Sequence, residues 1–312
     1  MPGRTLERLL PASGLAALAF SPDGKTLAVS PAGAPGDPVQ LWNVAAGRLA
    51  GQFTTGLTSR VNSIAFSPDG SLLAVSGFQD TTMQVWSTTT LSRVASFSDT
   101  QDTDYTPQMG GGVFVVAFSP DGRLLAAVGS DGRVRVYSVP GFTPLVVLLP
   151  LDATSSLAFS PDGRELALGN SDGNVYVYSI PASYTRLPSQ LKFQGALSAS
   201  TKNIYSVEFL PDGTLVAAGA DGVARFWTVP SGTFNGVTIP AQSLNTHVGA
   251  ITALSYSAPL GLLATASPLS SRVWETNPAQ VAASICQTLK TPASTQLWKE
   301  YLPDIPYTPV CG

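Results

Sequence analysis

Residues that could carry out chemistry are few in this sequence, and they do not cluster. Histidine, a common general base and metal ligand, occurs once, as His247, just before a predicted strand, where we expect a hydrogen-bonded structural role. The nearest arrangement to a cation site is SDTQDTDY, in which Asp99, Asp102 and Asp104 could surround a calcium ion. Because this segment lacks the glycine and the distal glutamate of an EF-hand loop, we interpret it as a solvated loop. The sequence therefore predicts no catalytic set, no metal site and no cofactor.

The charge pattern gives no basis for binding phosphate or nucleic acid. The chain has 17 basic and 20 acidic residues, a net charge of -3, and no long run of either sign. Its glycine-rich segment MGGGV (109–113) contains no lysine and does not lie between a strand and a helix, unlike a phosphate-binding loop. Because attraction to phosphates dominates nucleic-acid binding, we expect no nucleic-acid partner.

The apolar segments are too short for export or membrane insertion. The N-terminal MPGRTLERLLPASG has Glu7 and Arg8 where a signal peptide would have its apolar core. The most apolar segment, PLVVLLPL (144–151), is far shorter than the ~18 residues that cross a bilayer. We therefore expect no membrane contact in the chain as given and a cytoplasmic protein, or an extracytoplasmic one if a membrane helix precedes it.

A short motif recurs along the chain and organises the rest of the sequence. AFSPDG occurs four times, and EFLPDG and SYSAPLG are divergent copies. In SPDG the proline presets the first turn position and the glycine accepts a positive φ, so each copy predicts a β-hairpin. The aromatic residues of the six copies recur at intervals of 41 to 52 residues: Phe20, Phe66, Phe118, Phe159, Phe209 and Tyr256.

A third strand follows each hairpin and ends near an aromatic residue. These aromatic residues are Trp42, Trp86, Tyr137, Tyr178, Trp227 and Trp274. A fourth strand follows in most copies, as in RLAGQF (48–53). Four antiparallel strands repeated at this period predict an all-β fold, a β-propeller.

The repeats resemble WD repeats of the bacterial kind over about residues 3–276. In that family an Asp in the turn before the third strand joins a hydrogen-bond set with a His, a Ser or Thr and the Trp. The matching residues of this chain are Asp80, Asp131, Asp172 and Asp221. Because the chain has almost none of the family's histidines, we expect these Asp residues to be structural, satisfied by backbone N–H groups and nearby hydroxyls.

The count of repeats predicts six blades in a propeller domain of residues 1–276. A strand at residues 4–11 would complete the last blade and close the ring, which covers an otherwise open edge. Seven blades, the commoner number in the family, is the alternative, and we expect a monomer. The predicted repeats span 12–53, 61–97, 113–149, 154–187, 203–244 and 249–276.

The pattern changes in the tail, residues 277–312. NPAQVAASICQTL predicts a capped amphipathic helix, and a second helical turn carries Trp298 and Tyr301. The tail resembles those of bacterial WD propellers fused to STAND-type ATPases or serine/threonine kinases. We interpret it as packed on the underside of the ring, with an exposed docking peptide as the alternative. Cys286 and Cys311 could form a disulfide in an oxidising compartment and would be idle thiols in the cytosol.

Insertions between strands indicate where a partner would bind. Segments 30–38, 98–112 and 188–203 are predicted on one face of the ring, and long loops are often functional. The candidate contacts are Phe78, Tyr105, Met109, Lys192 and Phe193. We expect a non-catalytic interaction scaffold or sensor, with a role as the regulatory module of a bacterial signalling protein. The alternative is a propeller enzyme of hydrolase or lactonase type with a metal or cofactor in its channel.

Overall fold

The computed structural model of the chain describes most of the repeat region. The described residues are 15–31, 36, 38–77, 82–98, 113–129, 131–148, 153–181, 191–229, 232–234, 240, 242–245, 247, 249–257 and 261–276. They form six antiparallel sheets, here called blades 1 to 6, and contain no helix. The predicted all-β propeller with six blades is confirmed.

Each blade is a meander in which every strand pairs with the next along the chain. Blade 1 consists of β1 to β4: Leu15–Phe20, Thr26–Pro31, Val39–Asn43 and Arg48–Phe53. Blade 2 consists of β5 to β8: Val61–Phe66, Leu72–Gly77, Thr82–Ser87 and Arg93–Ser98. Blade 3 consists of β9 to β12: Val113–Phe118, Leu124–Gly129, Val134–Ser138 and Pro144–Leu148.

The second half of the series repeats this arrangement. Blade 4 consists of β13 to β16: Thr154–Phe159, Glu165–Asn170, Asn174–Ser179 and Lys192–Ser198. Blade 5 consists of β17 to β20: Ile204–Phe209, Thr214–Gly219, Val223–Thr228 and Gln242–Asn245. Blade 6 has three strands among the described residues, β21 to β23: Ala253–Ser257, Leu262–Ala266 and Ser271–Glu275.

The hydrophobic core lies between consecutive blades. Five clusters of buried side chains fill the five junctions from blade 1 to blade 6. The second strand of blade 3, Leu124–Gly129, is buried throughout because sheets cover both of its faces. Burial on both faces explains why these strands read as continuous apolar runs.

Blades 1 and 6 form the two ends of the described series. In blade 1, Leu18 and Phe20 are 53% and 58% exposed, whereas the equivalent Val116 and Phe118 of blade 3 are 4% and 9% exposed. The preceding blade covers the pair in blade 3. The strand predicted at residues 4–11, the tail at 277–312 and both cysteines lie outside the described residues.

The connections between strands lie at two opposite ends of the blades. We call the end that carries the connections from second to third strand and from one blade to the next the loop face. The other end, which carries the SPDG turns and the connections from third to fourth strand, is the turn face. This assignment follows from the antiparallel order of the strands.

Candidate functional site

The structure moves two of the predicted partner-binding residues to the other face. Lys192 and Phe193 were expected on the loop face in segment 188–203, and this expectation is wrong. They begin the fourth strand of blade 4, where they pair with Ser179 and Tyr178, so they lie at the turn face. The prediction of blade 4 as residues 154–187 missed this strand. Phe78, Tyr105 and Met109 lie outside the described residues, and their place on the loop face stays a prediction.

The missed strand is held in place by aromatic contacts within its own blade. The Phe193 ring lies 5.9 Å from the ring of Tyr176 and 5.4 Å from that of Tyr178. The segment KFQGALS contains Gln194 and Gly195, which obscure its strand character. Its position after the third strand of a repeat was the signal that could have revealed it.

The turn Asp residues of three blades lie at the loop face. In each of the three, Asp Oδ1 accepts a hydrogen bond from the backbone N–H group two residues later. The fourth turn Asp, Asp80, lies outside the described residues. The distances are 3.0 Å for Asp131 from Arg133, 2.9 Å for Asp172 from Asn174 and 3.1 Å for Asp221 from Val223. The Tyr176 hydroxyl also donates to Asp172 at 2.6 Å. These are the kinds of donor expected from the sequence.

Arginine side chains complete two of these turns, and the sequence patterns did not reveal them. The Arg135 guanidinium donates to both carboxylate oxygens of Asp131, at 3.2 and 2.8 Å. Arg225 Nη1 lies 2.7 Å from Asp221 Oδ2. Burial would raise the pKa of Asp131, but the hydrogen bonds from Arg135 and the Arg133 N–H and both arginine charges outweigh it and lower that pKa. In the sequence, the signal that could have revealed this pairing was a residue with a long hydrogen-bond donor side chain four positions after the Asp.

In blades 1 and 2 a glutamine takes the place of that donor and binds the third-strand tryptophan instead. Trp42 Nε1 donates to Gln40 Oε1 at 2.9 Å, and Trp86 Nε1 donates to Gln84 Oε1 at 3.0 Å. The Gln84 amide donates in turn to the Thr55 carbonyl at 3.0 Å. Both tryptophans are therefore fixed within their blades.

His247 and Trp274 share a hydroxyl in blade 6. Trp274 Nε1 donates to Thr265 Oγ1 at 3.0 Å, and His247 Nε2 lies 2.8 Å from the same oxygen. His247 Nδ1 lies 3.0 Å from Ser270 Oγ. Burial, followed by the charge of Arg272, lowers the pKa of His247. Both ring nitrogens are engaged, which is the arrangement of a structural histidine.

The remaining third-strand aromatics pack in the junctions between blades. Trp227 is 1% exposed in the cluster between blades 4 and 5. Tyr137 of blade 3 contacts Phe97 of blade 2, with ring centroids 4.7 Å apart. Tyr178 packs against the cluster between blades 3 and 4. The six aromatics of the third strands therefore serve packing and hydrogen bonding.

Among the described residues, no group of three or more His, Cys, Asp or Glu side chains is arranged to hold a metal ion. Within those same ranges no helix is long and apolar enough to span a membrane. Asp99, Asp102 and Asp104 lie outside them.

Glu208 is an acidic residue at a position that the first four repeats give to alanine. Its Cα pairs with that of Val216, which belongs to the apolar cluster between blades 5 and 6. Burial raises the pKa of Glu208 to about 7. This carboxyl therefore lies on the face of blade 5 that packs against blade 6.

The SPDG turns form a repeated structure on the turn face. In each of blades 1 to 4 the serine hydroxyl donates to the Asp carboxylate, over 2.5 to 2.7 Å. The glycine has a positive φ, for example 73° at Gly70. A Cβ placed at Gly70 would lie 3.7 Å from Pro22 of blade 1, and one at Gly122 would lie 3.6 Å from Pro68 of blade 2. From blade 1 to blade 3, the proline of one turn thus lies against the glycine of the next.

A cavity of about 360 Å³ opens between the SPDG turns of blades 1 and 2. Its walls include Leu41 of blade 1, Phe66 and Leu91 of blade 2, and the small residues Ala50 and Gly51 of the blade 1 fourth strand. The fourth strands of blades 1 to 4 share a bulge at this level. The bulged residue and its successor are Ala50 and Gly51, Val94 and Ala95, Leu145 and Val146, and Gln194 and Gly195. Ala50 and Gly51 of blade 1 are the pair with the smallest side chains, which leaves space for the cavity.

A family model described as WD domain, G-beta repeat (WD40) matches residues 48–87, 105–138, 151–179 and 191–228. These four segments are WD40 repeats. Each match ends with the third strand of a blade, and those at 48–87 and 191–228 begin with the fourth strand of the blade before. The WD40 sequence unit is therefore offset from the structural blade, and these two units each join two neighbouring blades.

Curated relatives match a limited part of the chain. Over 113 residues it is 33% identical to Coronin-7 of Rattus norvegicus and to Coronin-7 of Mus musculus. The matched part is 34% of this chain and 11% of each relative. Among solved structures, the β-propeller domain of Myceliophteria thermophila Cps50 (Swd1) has a TM-score of 0.71 at 14% identity, over 87% of this chain and 85% of that one. This likeness shows the β-propeller fold.

Proposed function

We propose that this protein is a non-catalytic scaffold or sensor that binds a protein partner on its loop face. The observation that carries the proposal is the contrast between the two kinds of connection. The SPDG turn is repeated in blades 1 to 4, whereas the connections between blades differ in length. They range from five residues at 149–153 to fourteen residues at 99–112. Variable connections on a repeated frame are typical of binding surfaces. The WD40 repeats and the propeller fold are consistent with a protein-interaction role.

The proposal extends to the setting of the protein. We place it as a cytoplasmic monomer and as the regulatory module of a bacterial signalling protein. The support is the resemblance of the tail, with Trp298 and Tyr301, to the tails of propellers fused to ATPases or kinases. The candidate contacts are Phe78, Tyr105 and Met109 of the loop face.

Affinity capture from lysate of the source cell tests the loop face. The intact chain is compared with a variant in which a Gly-Ser turn replaces residues 99–112. A second variant, with 182–190 replaced in the same way, serves as the control because that segment connects strands at the turn face. Thermal unfolding checks that both variants fold.

We expect the first variant to lose a partner that the intact chain and the control retain. Retention by the first variant, or equal loss from both, contradicts binding through this loop.

A further inference from the structure

The cavity between blades 1 and 2 combines apolar walls with an acidic rim. Of the described residues that line it, Asp23 and Asp69 carry charge, and both are acidic. Hydrogen bonds from the Ser67 hydroxyl and then from the Ser71 hydroxyl and N–H lower the pKa of Asp69. Hydrogen bonds from the Ser21 hydroxyl and then from the Lys25 N–H lower the pKa of Asp23. Both carboxyls are therefore ionised at neutral pH.

The two carboxylates differ in what balances their charge. Lys25 Nζ lies 3.3 Å from Asp23 Oδ2, but these side chains are 79% and 54% exposed, so solvent screens the pair. Asp69 accepts hydrogen bonds from hydroxyl and N–H groups and has no cationic partner among the described residues. A net negative charge thus remains at the mouth of the cavity.

The walls set the shape of a complementary ligand. Leu41, which is 4% exposed, lines the cavity together with Leu91 and Phe66. The volume of about 360 Å³ is near the lower end for ligand pockets, roughly 300 to 1,000 Å³. A ligand that fits has an apolar stem and a cationic end. The guanidinium of arginine also stacks on aromatic rings and donates to carboxylates with two N–H groups.

We propose that this cavity binds an arginine side chain of a protein partner. The site lies on the turn face, opposite the loop face. The inference rests on the proposed function in taking the occupant from a protein. It requires neither the connection at 99–112 nor the residues predicted on the loop face.

Methyl NMR of the full chain tests the site with three probes. The first is the capped peptide Gly-Gly-Arg-Gly-Gly, and the second is its citrulline analogue, which has the same shape without the charge. The third is argininamide with an acetylated α-amino group, which carries the guanidinium charge alone. The Leu41, Ala50 and Leu91 methyl groups report on the cavity, and those of Leu166 and Leu168 in blade 4 report on distant changes.

We expect the arginine peptide to shift the cavity methyls with a dissociation constant of about 1 mM. The citrulline peptide binds about fivefold more weakly, because a solvent-accessible ion pair contributes up to about 1 kcal/mol. Argininamide binds more weakly than the peptide, because it lacks the flanking backbone that contacts the rim.

Three variants separate the cavity from the stability of its turns. Asp69→Asn removes the unpaired charge, and Asp121→Asn removes the equivalent carboxylate in blade 3, where Ser119 and the Arg123 N–H donate in the same way. We expect Asp69→Asn to weaken the arginine peptide about threefold and Asp121→Asn to leave it unchanged. Ala50→Leu, which copies Leu145 of blade 3, fills the cavity and abolishes the shifts.

Several results overturn the inference. Equal binding of the arginine and citrulline peptides removes the charge recognition, and equal weakening by Asp69→Asn and Asp121→Asn assigns the effect to the fold. If argininamide binds as tightly as the peptide, the flanking backbone contributes nothing, and the ligand of the cavity is a small organic cation and not a protein. These results could occur while affinity capture still shows a partner that depends on residues 99–112. In that case arginine binding in the cavity is rejected, and the proposed function of the loop face stands.

Discussion

The junctions between blades 1 and 2 and between blades 4 and 5 solve the same packing problem differently. Each places a glycine directly after the fourth-strand bulge, Gly51 or Gly195, and covers it with a residue from the next blade. At Gly51 the cover is the Leu91 side chain, with Cδ1 2.8 Å from the point where a Cβ would lie. At Gly195 it is Phe234, whose ring and carbonyl oxygen both occupy the space of a Cβ.

The difference lies in how the cover is anchored. The Phe234 N–H donates to the Gln194 carbonyl at 2.8 Å, so backbone is fixed to backbone across the junction. Leu91 reaches Gly51 with a movable side chain beside an open cavity. The contact at Gly195 is therefore rigid, whereas the contact at the equivalent Gly51 can adapt.

Adding one methyl group at each glycine is the strongest test of this comparison. Gly195→Ala places its Cβ against the Phe234 backbone, which cannot move without breaking the junction, and lowers the free energy of unfolding by about 3 kcal/mol. Gly51→Ala displaces the end of Leu91 into the cavity and changes that free energy by less than about 1 kcal/mol. Urea unfolding of both variants gives the two values. Equal losses would show that the junctions are equally rigid.

The junction between blades 5 and 6 adds a titratable group to the comparison. The native protein keeps a proton on Glu208 up to pH about 7, whereas the ordinary pKa is 4.5. Between these values the unfolded chain has lost the proton, so the free energy of unfolding falls as pH rises and levels off above the native pKa.

Glu208→Gln removes this fall and stabilises the protein at pH 8 by about 2 kcal/mol. Urea unfolding of the native chain and the variant from pH 5 to pH 8 measures how the free energy of unfolding of each depends on pH. Glu165→Gln is the matched comparison, because burial and then the charge of Asp162 also raise the pKa of Glu165. A pH profile unchanged by Glu208→Gln would place its carboxyl in solvent.

Leu91 itself offers a test in which glycine is the milder substitution. Its φ is 54°, and the equivalent residue of blade 1 is Gly47, with a φ of 55°. Leu91→Ala loses the contact with Gly51 and keeps the left-handed strain, whereas Leu91→Gly loses the contact and releases about 1 kcal/mol of strain. We therefore expect Leu91→Gly to be the more stable variant. Thr90, which has no positive φ, should show the reverse order for the same substitutions in thermal unfolding.

The smallest effect concerns the turns at the cavity. Asp69→Asn and Asp121→Asn each weaken one set of hydrogen bonds within a turn, at a cost of about 0.5 kcal/mol. Asp69→Asn should have a slightly lower melting temperature than Asp121→Asn, because Asp69 also accepts a hydrogen bond from the Ser71 hydroxyl at 2.7 Å. A difference much larger than one hydrogen bond would show that this carboxylate also stabilises the junction.

The sequence predicted the fold where one repeat contains all the determinants of an element. SPDG and its flanking apolar runs specify the first two strands, and the six copies predicted six blades. The fourth strand of blade 4 was missed because Gln194 and Gly195 are poor strand formers, and pairing with the third strand decides its conformation.

The features between repeats could not be read in this way. The cavity depends on Ala50 and Gly51 in one repeat and on the length of Leu91 in the next, about forty positions later. The Arg135 pair with Asp131 depends on a side chain crossing four positions of a turn and strand. Local patterns report the residues of one element, whereas these sites are set by side-chain size and reach after the elements have packed.

The contact between successive SPDG turns bears on how such a chain can grow. Pro22 lies against Gly70, and Pro68 lies against Gly122, so the repeat of blade 2 presents a proline to the next blade and a glycine to the preceding one. A gene segment duplicated as a whole repeat inserts a unit whose two sides already match its neighbours. Gain or loss of whole repeats therefore preserves every such contact, while a break within a repeat destroys one. The number of repeats is thus open to evolutionary change, provided that each repeat keeps its own SPDG turn.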